Sequence, residues 1–294
     1  MINSSNQRTI DDLDSGDKDI FKYSDRENIY FEVHGKGATK ILFIHGYGSS
    51  HLTWYEIKES IESSAELYLI DLKGFGNSSR PKDFKYSPAD HAEIIVSIIK
   101  QLNLKKITLA GHSYGGGVAL LVYLKMLAMN LENRVDKLIL IDAAVHIEKL
   151  PMLIFRSKEP FLKYIMLKFI PSSIIAKISL NRMFVNKNVI DKNRIESYAR
   201  FIRKKGSRHS YIETAKRMYP EIKKLVVPEL SKIKAETLII WGENDPLIPI
   251  EHAHKLHSEF PNSQLQIIKN CGHAPQEEYP EETAAVIREF CRIG

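Results

Sequence analysis

ITLAGHSYGGG, residues 107–117, is the segment that decides the fold. Its apolar start, Ile107–Ala110, predicts a buried strand, and the helical spacing of Val118–Met129 predicts a helix directly after it. Between them, Gly111-His112-Ser113-Tyr114-Gly115 has the pattern G-x-S-x-G. Glycines on both sides of Ser113 permit a sharp, strained turn in which its Oγ stands free of neighbouring side chains. The segment therefore predicts a strand, a tight turn carrying a candidate nucleophile, and a helix.

Similar apolar runs recur on both sides of that segment and alternate with helical patterns. The predicted strands are Ile29–Val33, Ile41–His45, Leu67–Asp71, Ile107–Gly111, Leu138–Asp142, Leu238–Trp241 and Leu265–Ile268. Continuous apolar runs are typical of parallel strands that are buried on both faces. A crossover helix is predicted after Ser87-Pro88, because apolar residues follow it at helical spacing through Leu102. The pattern indicates an α/β fold with a doubly wound, mostly parallel sheet.

Charge divides the chain into two kinds of segment. Residues 149–234 hold 21 Lys and Arg against 6 Asp and Glu, whereas the remainder holds 21 against 30. The basic segment has helical stretches at Phe161–Ile170 and Asn193–Lys205, punctuated by Pro151, Pro160, Pro171 and Pro220. We expect an α/β core over residues 21–145 and 235–294, an inserted basic helical cap over 146–234, and a polar tail over 1–20.

Composition excludes several classes of protein. With 294 residues, 44% of them hydrophobic, and a mean hydropathy of −0.24, the chain is expected to be globular and water-soluble. The uncharged run Ile107–Leu124 contains a cluster of glycines, which argues against a membrane helix. The first twenty residues lack a signal-peptide pattern, so a cytoplasmic location is expected. Cys271 and Cys291 are expected to be reduced thiols, although a bond between them stays open.

A serine nucleophile needs a base that is oriented by a third group. Asp245 follows the predicted strand Leu238–Trp241, and His273 follows the strand Leu265–Ile268. Open α/β sheets place their sites at these carboxyl ends of the strands. Glu243 and Asp142 are alternative acids, but Asp142 ends an earlier strand and is expected to serve the turn into the cap.

Two further motifs carry a resemblance to a known family. His45-Gly46-Tyr47-Gly48 follows the second predicted strand, and residues 71–78 read D-x-x-G-x-G-x-S. Together with the segment around Ser113 and the order Ser, Asp, His, these motifs make residues 21–294 resemble the α/β-hydrolase fold superfamily, in the manner of its serine esterases and lipases.

The resemblance implies a role for each matching residue. Ser113 would be the nucleophile, His273 the base and Asp245 the acid that orients it. The backbone N–H groups of Tyr47 and Tyr114 would form an oxyanion hole.

Other candidate ligands and cofactors are not supported. His252, His254 and His257 have helical spacing but no H-E-x-x-H arrangement, so a solvated helix face is favoured and no metal is expected. His45 and His112 are expected to be structural. Cys271 is expected to be buried beside the His273 loop. No dinucleotide or nucleoside triphosphate motif occurs, so no cofactor is expected.

The identity of the nucleophile restricts the reaction. Similar enzymes that open epoxides or displace halide use Asp at this position, so Ser113 favours acyl transfer, and hydrolysis of a carboxylic ester is the leading hypothesis. A carbon–carbon hydrolase stays open, although by resemblance its motif reads G-N-S-x-G and this one has His112. A cofactor-free perhydrolase and a non-catalytic small-molecule receptor with a retained triad also stay open.

The cap is expected to select the substrate. Eight of the ten residues of Phe161–Ile170 are hydrophobic or aromatic, so Phe161, Tyr164 and Ile165 are candidates to line an acyl pocket. One hypothesis is a lipid-like or medium-to-long acyl ester reached at an anionic membrane; the alternative is that the cap merely packs on the core. A small acyl substrate and no nucleic acid are the expected partners, and the oligomeric state is left open.

Overall fold

The chain folds around one mixed, mostly parallel β-sheet. The computed structural model describes residues 18–146 and 170–294. Within these ranges the strands are β1 (Lys18–Ser24), β2 (Glu27–His34), β3 (Thr39–Ile44), β4 (Ala65–Ile70), β5 (Ile107–His112), β6 (Val135–Ile141), β7 (Glu236–Gly242) and β8 (Ser263–Ile268). Their order in the sheet is β1-β2-β4-β3-β5-β6-β7-β8. β1 and β2 pair antiparallel, β2 is antiparallel to β4, and all the other pairs are parallel.

Helices cover both faces of this sheet, and further helices lie in the segment predicted as a cap. They are α1 (Tyr55–Glu62), α2 (Pro88–Gln101), α3 (Tyr114–Ala128), α4 (Ser172–Met183), α5 (Lys192–Ile202), α6 (Ser207–Val226), α7 (Glu251–Glu259), α8 (Pro275–Glu278) and α9 (Pro280–Cys291). In α2, Ser87 caps the helix and Asp90 completes a capping box, with Pro88 at the first helical position. That arrangement confirms the helix predicted after Ser87-Pro88.

The central strands are buried on both faces, as their continuous apolar runs predict. In β3, Leu42 and Ile44 point into the cluster that α2, α3 and α6 cover, whereas Ile41 and Phe43 point into the cluster that α1 and α9 cover. Successive side chains of a strand point to opposite faces, so a strand inside such a sheet needs apolar residues at every position.

All seven predicted strands are present, with ends that differ from the predictions by up to three residues, and two other features depart from the predictions. β1 begins at Lys18, so the last part of the expected tail belongs to the sheet; residues 1–17 lie outside the described residues. Pro220 lies inside α6 and does not interrupt it. Burial of Met218, Ile222 and Val226 in the core offsets the hydrogen bond that a proline removes from a helix.

Within the segment predicted as a cap, the described residues after 170 are mainly helical. α4 and α5 pack on each other through Ala176, Ala199 and Ile202. α6 packs on α3 so closely that a Cβ on Gly117 would lie 2.5 Å from Ile222 Cδ1. The predicted stretch Asn193–Lys205 corresponds to α5, and Phe161–Ile170 lies almost entirely outside the described residues.

Two further expectations concern membranes and thiols. In the described parts of the chain, no helix is both long and apolar enough to span a bilayer. Cys271 and Cys291 are both buried and free, which confirms the expectation of reduced thiols.

Candidate active site

Ser113 occupies the turn between β5 and α3. Its backbone has φ 52° and ψ −119°, a strained conformation for a residue with a side chain. The Ser113 N–H donates to Ile141 O at 2.8 Å, and Ser113 O accepts from the N–H of Gly116 and Ala144. These bonds to β6 and to the residues after it fix the turn, which confirms the predicted strand–turn–helix.

The flanking glycines are required by close approach of the backbone. A Cβ on Gly111 would lie 2.4 Å from Gly115 O, and one on Gly115 would lie 2.2 Å from Ile44 O. Both contacts are with main-chain atoms of the central strands or the turn, which cannot move aside. The turn can therefore sit this tightly against β3 only with glycine at both positions.

His273 is brought to Ser113 by the loop after β8. Ser113 Oγ lies 2.8 Å from His273 Nε2, and His273 Nδ1 lies 2.7 Å from Asp245 Oδ2. A carboxylate only accepts, so Nδ1–H donates to Asp245 and Nε2 accepts from the Ser113 hydroxyl. The His273 N–H donates to Met183 O at 2.8 Å, which ties this loop to the end of α4. The structure thus joins the three predicted residues in one hydrogen-bonded series.

Asp245 is held by the turn that follows β7. Its Oδ1 accepts from the N–H groups of Leu247 and Ile248, at 2.7 and 2.9 Å. Burial acts to raise the pKa of Asp245, but His273 and these two N–H groups outweigh it and hold the pKa below its usual value. Asp245 is therefore a carboxylate, as a group that orients an imidazole must be.

The two alternative acids do not contact His273 in this way. Glu243 is exposed and accepts from the N–H of Asn270. Asp142 is fully buried, and its Oδ1 accepts from the N–H of Gly242 at 3.0 Å. Asp142 follows β6 with φ 44°, a conformation typical of turns, and its carboxyl faces the end of β7 and Asp245.

The loop after β3 lies against the Ser113 turn. A Cβ on Gly46 would meet His112 Nδ1 at 2.9 Å and Ser113 Cβ at 3.2 Å, so Tyr47 follows a backbone that touches the candidate nucleophile. Tyr114 is the first residue of α3, where N–H groups have no partner within the helix. The side chains of Tyr47 and Tyr114 bond partners other than Ser113. The Tyr47 hydroxyl donates to Tyr211 O, and the Tyr114 hydroxyl bonds His91.

His45 and His112 have structural partners. His45 Nδ1 bonds Gly46 O and its Nε2 accepts from the Leu72 N–H at 3.0 Å. His112 Nε2 donates to the carbonyl of His273. Burial, reinforced by His273, lowers the pKa of His112 to about 3, so its ring is neutral.

The D-x-x-G-x-G-x-S segment also has a structural role. The buried Asp71 carboxylate accepts from the His51 N–H at 2.7 Å and from the Asn77 N–H at 2.6 Å. Gly76 approaches so closely that a Cβ there would lie 2.0 Å from the Asp71 carboxyl. Ser78 Oγ donates to Asp71 O at 2.6 Å. The segment thus folds around its own carboxylate.

Sequence reasoning missed an ionic contact between α5 and the turn after His273. Arg194 bonds Glu277 at 2.7 Å, and Glu277 also accepts from the hydroxyls of Thr53 and Tyr198. A cleft of ≈ 270 Å³ lies beside it, lined in part by Ser49, Thr53, Arg194, Tyr198, Phe201 and Glu277. The only local signal was the acidic pair that follows Gln276, which has no distinctive pattern.

A group of side chains around Ser113 has the spacing of a possible metal site. Among the described residues, Asp142, Asp245 and His273 bring three ligand atoms within 4.8 Å of one another. Both ring nitrogens of His273 are already engaged by Ser113 and Asp245, so this group fits a proton-transfer site better than a metal site.

Several remaining predictions concern side chains away from this group. His254 and His257 are exposed on α7, as predicted, and His252 is half-buried. Cys271 is buried beside the His273 loop, as expected, and burial raises the pKa of its thiol. The predicted pocket residues Phe161, Tyr164 and Ile165 lie outside the described residues.

Comparison with known proteins assigns the family. The family model of the alpha/beta hydrolase fold matches residues 40–280, and the chain belongs to that family. It is 26% identical over 271 residues to the uncharacterized hydrolase YugF of Bacillus subtilis, covering 91% of this chain and 96% of YugF. It is 25% identical over 278 residues to a 2-hydroxy-6-oxononadienedioate/2-hydroxy-6-oxononatrienedioate hydrolase of Escherichia coli, covering 89% of this chain and 90% of that one.

A solved structure gives the same fold. The esterase EaEST from Exiguobacterium antarcticum matches with a TM-score of 0.78 at 24% identity, covering 93% of this chain and 98% of that one. At that identity the likeness shows the fold alone. The predicted α/β-hydrolase fold is confirmed.

Proposed function

We propose that the protein hydrolyses a carboxylic ester through an acyl-enzyme on Ser113. The observation that carries this proposal is the series Ser113 Oγ to His273 Nε2 at 2.8 Å and His273 Nδ1 to Asp245 Oδ2 at 2.7 Å. These distances lie within the reach that a base needs to take a proton from a nucleophile.

The reaction follows from the positions of these groups. The Ser113 Oγ attacks the ester carbonyl while its proton passes to His273 Nε2, and the Asp245 carboxylate stabilises the imidazolium that forms. The N–H groups of Tyr47 and Tyr114 stabilise the negative oxygen of the tetrahedral intermediate. His273 then protonates the departing alcohol, and a water that His273 activates releases the acid from Ser113.

The first experiment tests the nucleophile without a choice of substrate. A fluorophosphonate probe should label the protein once per chain, with the adduct on Ser113 in a peptide digest. Short p-nitrophenyl esters should turn over, and Ser113→Ala should lower kcat by several orders of magnitude. Labelling at another residue, or unchanged turnover in Ser113→Ala, would contradict the proposal.

Carbon–carbon bond hydrolysis is the second candidate, because an Escherichia coli relative that is 25% identical carries the name of such an enzyme. His112 replaces the Asn that the resemblance associates with that activity. A ring-cleavage product of the 2-hydroxy-6-oxo-dienoate type should be assayed beside the esters. A higher kcat/KM for the dienoate would replace the ester proposal.

The remaining alternatives have direct readouts. Peracid formation from a carboxylic acid and hydrogen peroxide, dependent on Ser113, would indicate a perhydrolase. Ligand binding without turnover of any ester would indicate a receptor.

We also propose a lipid-like or medium-to-long acyl group as the substrate and an anionic membrane as the place where it is met. The outer face of α4 and the residue after its C-cap support this, because Ile174, Ile178 and Val185 are 48%, 44% and 41% exposed beside the basic Lys177 and Arg182. Apolar side chains flanked by cations suit the surface of an anionic bilayer.

Two measurements test this part of the proposal. Catalytic efficiency should rise from acetyl to octanoyl esters, since each buried methylene contributes up to about 0.8 kcal/mol. Vesicles containing phosphatidylserine should bind the protein at low salt and release it at high salt, and Lys177→Glu with Arg182→Glu should weaken that binding. A preference for acetyl esters without vesicle binding would overturn it and leave ester hydrolysis standing.

A further inference from the structure

A second aspartate, Asp142, lies beside the acid of the active site without a described role. It directly follows β6, its side chain is fully buried, and its backbone has φ 44°, which is strained for a residue other than glycine. Its Oδ1 accepts from the N–H of Gly242 at 3.0 Å. Among the described residues, no group donates a hydrogen bond to its Oδ2.

The Asp142 carboxyl, whose Oδ2 has no donor among the described residues, lies next to the carboxyl of Asp245. One carboxyl oxygen of each aspartate and one ring nitrogen of His273 lie within 4.8 Å of one another, so the two carboxyls are neighbours in the same buried space. Two buried carboxylates at such a distance cannot both be ionised without a large energetic cost. One proton must therefore be held between them.

The hydrogen-bond donors decide which aspartate holds the proton. Asp245 accepts from two backbone N–H groups and from His273, whereas Asp142 accepts, in the described parts of the chain, from Gly242 alone. Glu278, Cys271 and His112 also act on this pair. The first two are acids and the buried His112 ring is neutral, so none of them adds positive charge. Burial and the nearby Asp245 raise the pKa of Asp142 well above its usual value, while the pKa of Asp245 is lowered.

We propose that Asp142 is a positioning residue: a protonated carboxylic acid whose Oδ2–H donates to the Asp245 carboxylate and holds it in line with His273. This role rests on the proposed function of Ser113, His273 and Asp245. A neutral donor on Asp245 withdraws part of its charge. It therefore weakens the stabilisation that Asp245 gives to the positive charge formed on His273 when His273 takes the Ser113 proton.

Two variants separate this role from simple packing. Asp142→Asn keeps the shape, is neutral and supplies an N–H to Asp245 while its oxygen still accepts from Gly242. Asp142→Leu has the same branching at Cγ, with larger methyl groups, and no donor. We expect the fluorophosphonate labelling rate of Asp142→Asn to stay within about threefold of the parent, and that of Asp142→Leu to fall at least about tenfold.

The pH profile of labelling gives a readout that packing alone would not move. Without the donor, Asp245 stabilises the His273 imidazolium more strongly, so the midpoint of the acidic limb should move up by about one pH unit in Asp142→Leu. In Asp142→Asn the midpoint should stay in place. Equal losses in both variants, or an unmoved midpoint in Asp142→Leu, would overturn the proposal.

Infrared difference spectroscopy tests the proton directly and needs no activity. The parent protein at pH 7 should show the carbonyl stretch of a protonated carboxylic acid that is absent from Asp142→Asn. The absence of that difference band would show that Asp142 is ionised and would overturn the proposal, even if Asp142→Leu does not fold. Failure of the parent to react with the fluorophosphonate would instead count against the proposed function, while the infrared result would still decide the state of Asp142.

Discussion

The Nε2–H of His112 donates to the main-chain carbonyl of His273 at 2.7 Å. His112 directly precedes Ser113, so the last residue of β5 holds the loop that carries the candidate base. The carbonyl only accepts, which fixes the proton of the neutral His112 ring on Nε2. The turn that presents the nucleophile and the loop that presents its base are thereby joined through one ring.

Replacing His112 by Phe should keep an aromatic ring, of somewhat larger size, and remove this donor. The buried His273 carbonyl would lose its partner, so we expect a loss of about 1–3 kcal/mol in stability. A displaced His273 should slow fluorophosphonate labelling of Ser113 by about tenfold to a hundredfold. His257→Phe, on the exposed face of α7, is the control and should leave labelling unchanged. Equal labelling rates in the two variants would show that His112 does not position the base.

Asp245→Asn should lower turnover by about four orders of magnitude if it behaves as in serine proteases, because His273 would lose the partner that sets its tautomer. The measurement is kcat on whichever p-nitrophenyl ester the parent hydrolyses best. Glu243→Gln is the matched control, since Glu243 is exposed and bonds only the Asn270 N–H in the contacts described above. A larger loss in Glu243→Gln would mean that the acid is misassigned.

The sequence predicted the core of the fold because its signals are local. An apolar run buried on both faces is visible in consecutive residues, as in β3, and so is the glycine pattern around Ser113. Ser113, Asp245 and His273 each follow a predicted parallel strand, so their meeting at one edge of the sheet follows from topology alone.

The parts that were missed depend on contacts between distant segments. Asp142 faces Asp245 because β6 and β7 are neighbours in the sheet. No local sequence pattern specifies which strands are neighbours. Arg194 and Glu277 form an ion pair although they are 83 residues apart in the sequence. β1 is an edge strand with charged residues among its apolar ones, so its pattern does not differ from that of a polar tail.

Gly115→Ala should destabilise the fold by about 3 kcal/mol, because the added Cβ would lie 2.2 Å from the backbone oxygen of Ile44. Gly48→Ala is a matched control in the loop after β3. It has φ +77°, and no atom of the described residues lies within 4 Å of the added Cβ, so only backbone strain of about 1 kcal/mol is expected. Urea unfolding of both variants measures the difference, and similar losses would show that steric approach to β3 is not what requires Gly115.

Arg194→Met should destabilise the protein by about 3–5 kcal/mol, since the buried Glu277 would be left as an uncompensated charge. Adding Glu277→Gln should recover most of that loss, because a neutral amide can still bond Thr53 and Tyr198. Burial already raises the pKa of Glu277, and its protonation removes the unpaired charge, so the defect of Arg194→Met should be smaller at pH 5 than at pH 8.

The control for that ion pair is an exposed one. Arg203 pairs with Glu196 at the surface of α5, and Arg203→Gln should leave the free energy of unfolding almost unchanged, because solvent screens an exposed pair. Chemical denaturation measures all these variants. A double variant no more stable than Arg194→Met would show that the lost energy comes from packing of the arginine side chain and not from the charge of Glu277.

His91 should make the protein less stable as the pH falls. Its Nε2–H donates to Lys73 O and its Nδ1 accepts from the Tyr114 hydroxyl, so the buried ring is neutral, and burial lowers its pKa to about 4. The unfolded chain binds a proton at His91 near its ordinary pKa, whereas the folded protein does so only near pH 4. The folded state therefore loses about 2–3 kcal/mol relative to the unfolded state between pH 7 and pH 4.

His91→Gln should be less stable than the parent at pH 7, and that difference in the free energy of unfolding should narrow by this amount at pH 4. His254→Gln, at an exposed site on α7, should follow the parent at every pH. Urea unfolding at four pH values provides the measurement, and a gap that stays constant with pH would refute a neutral, buried His91.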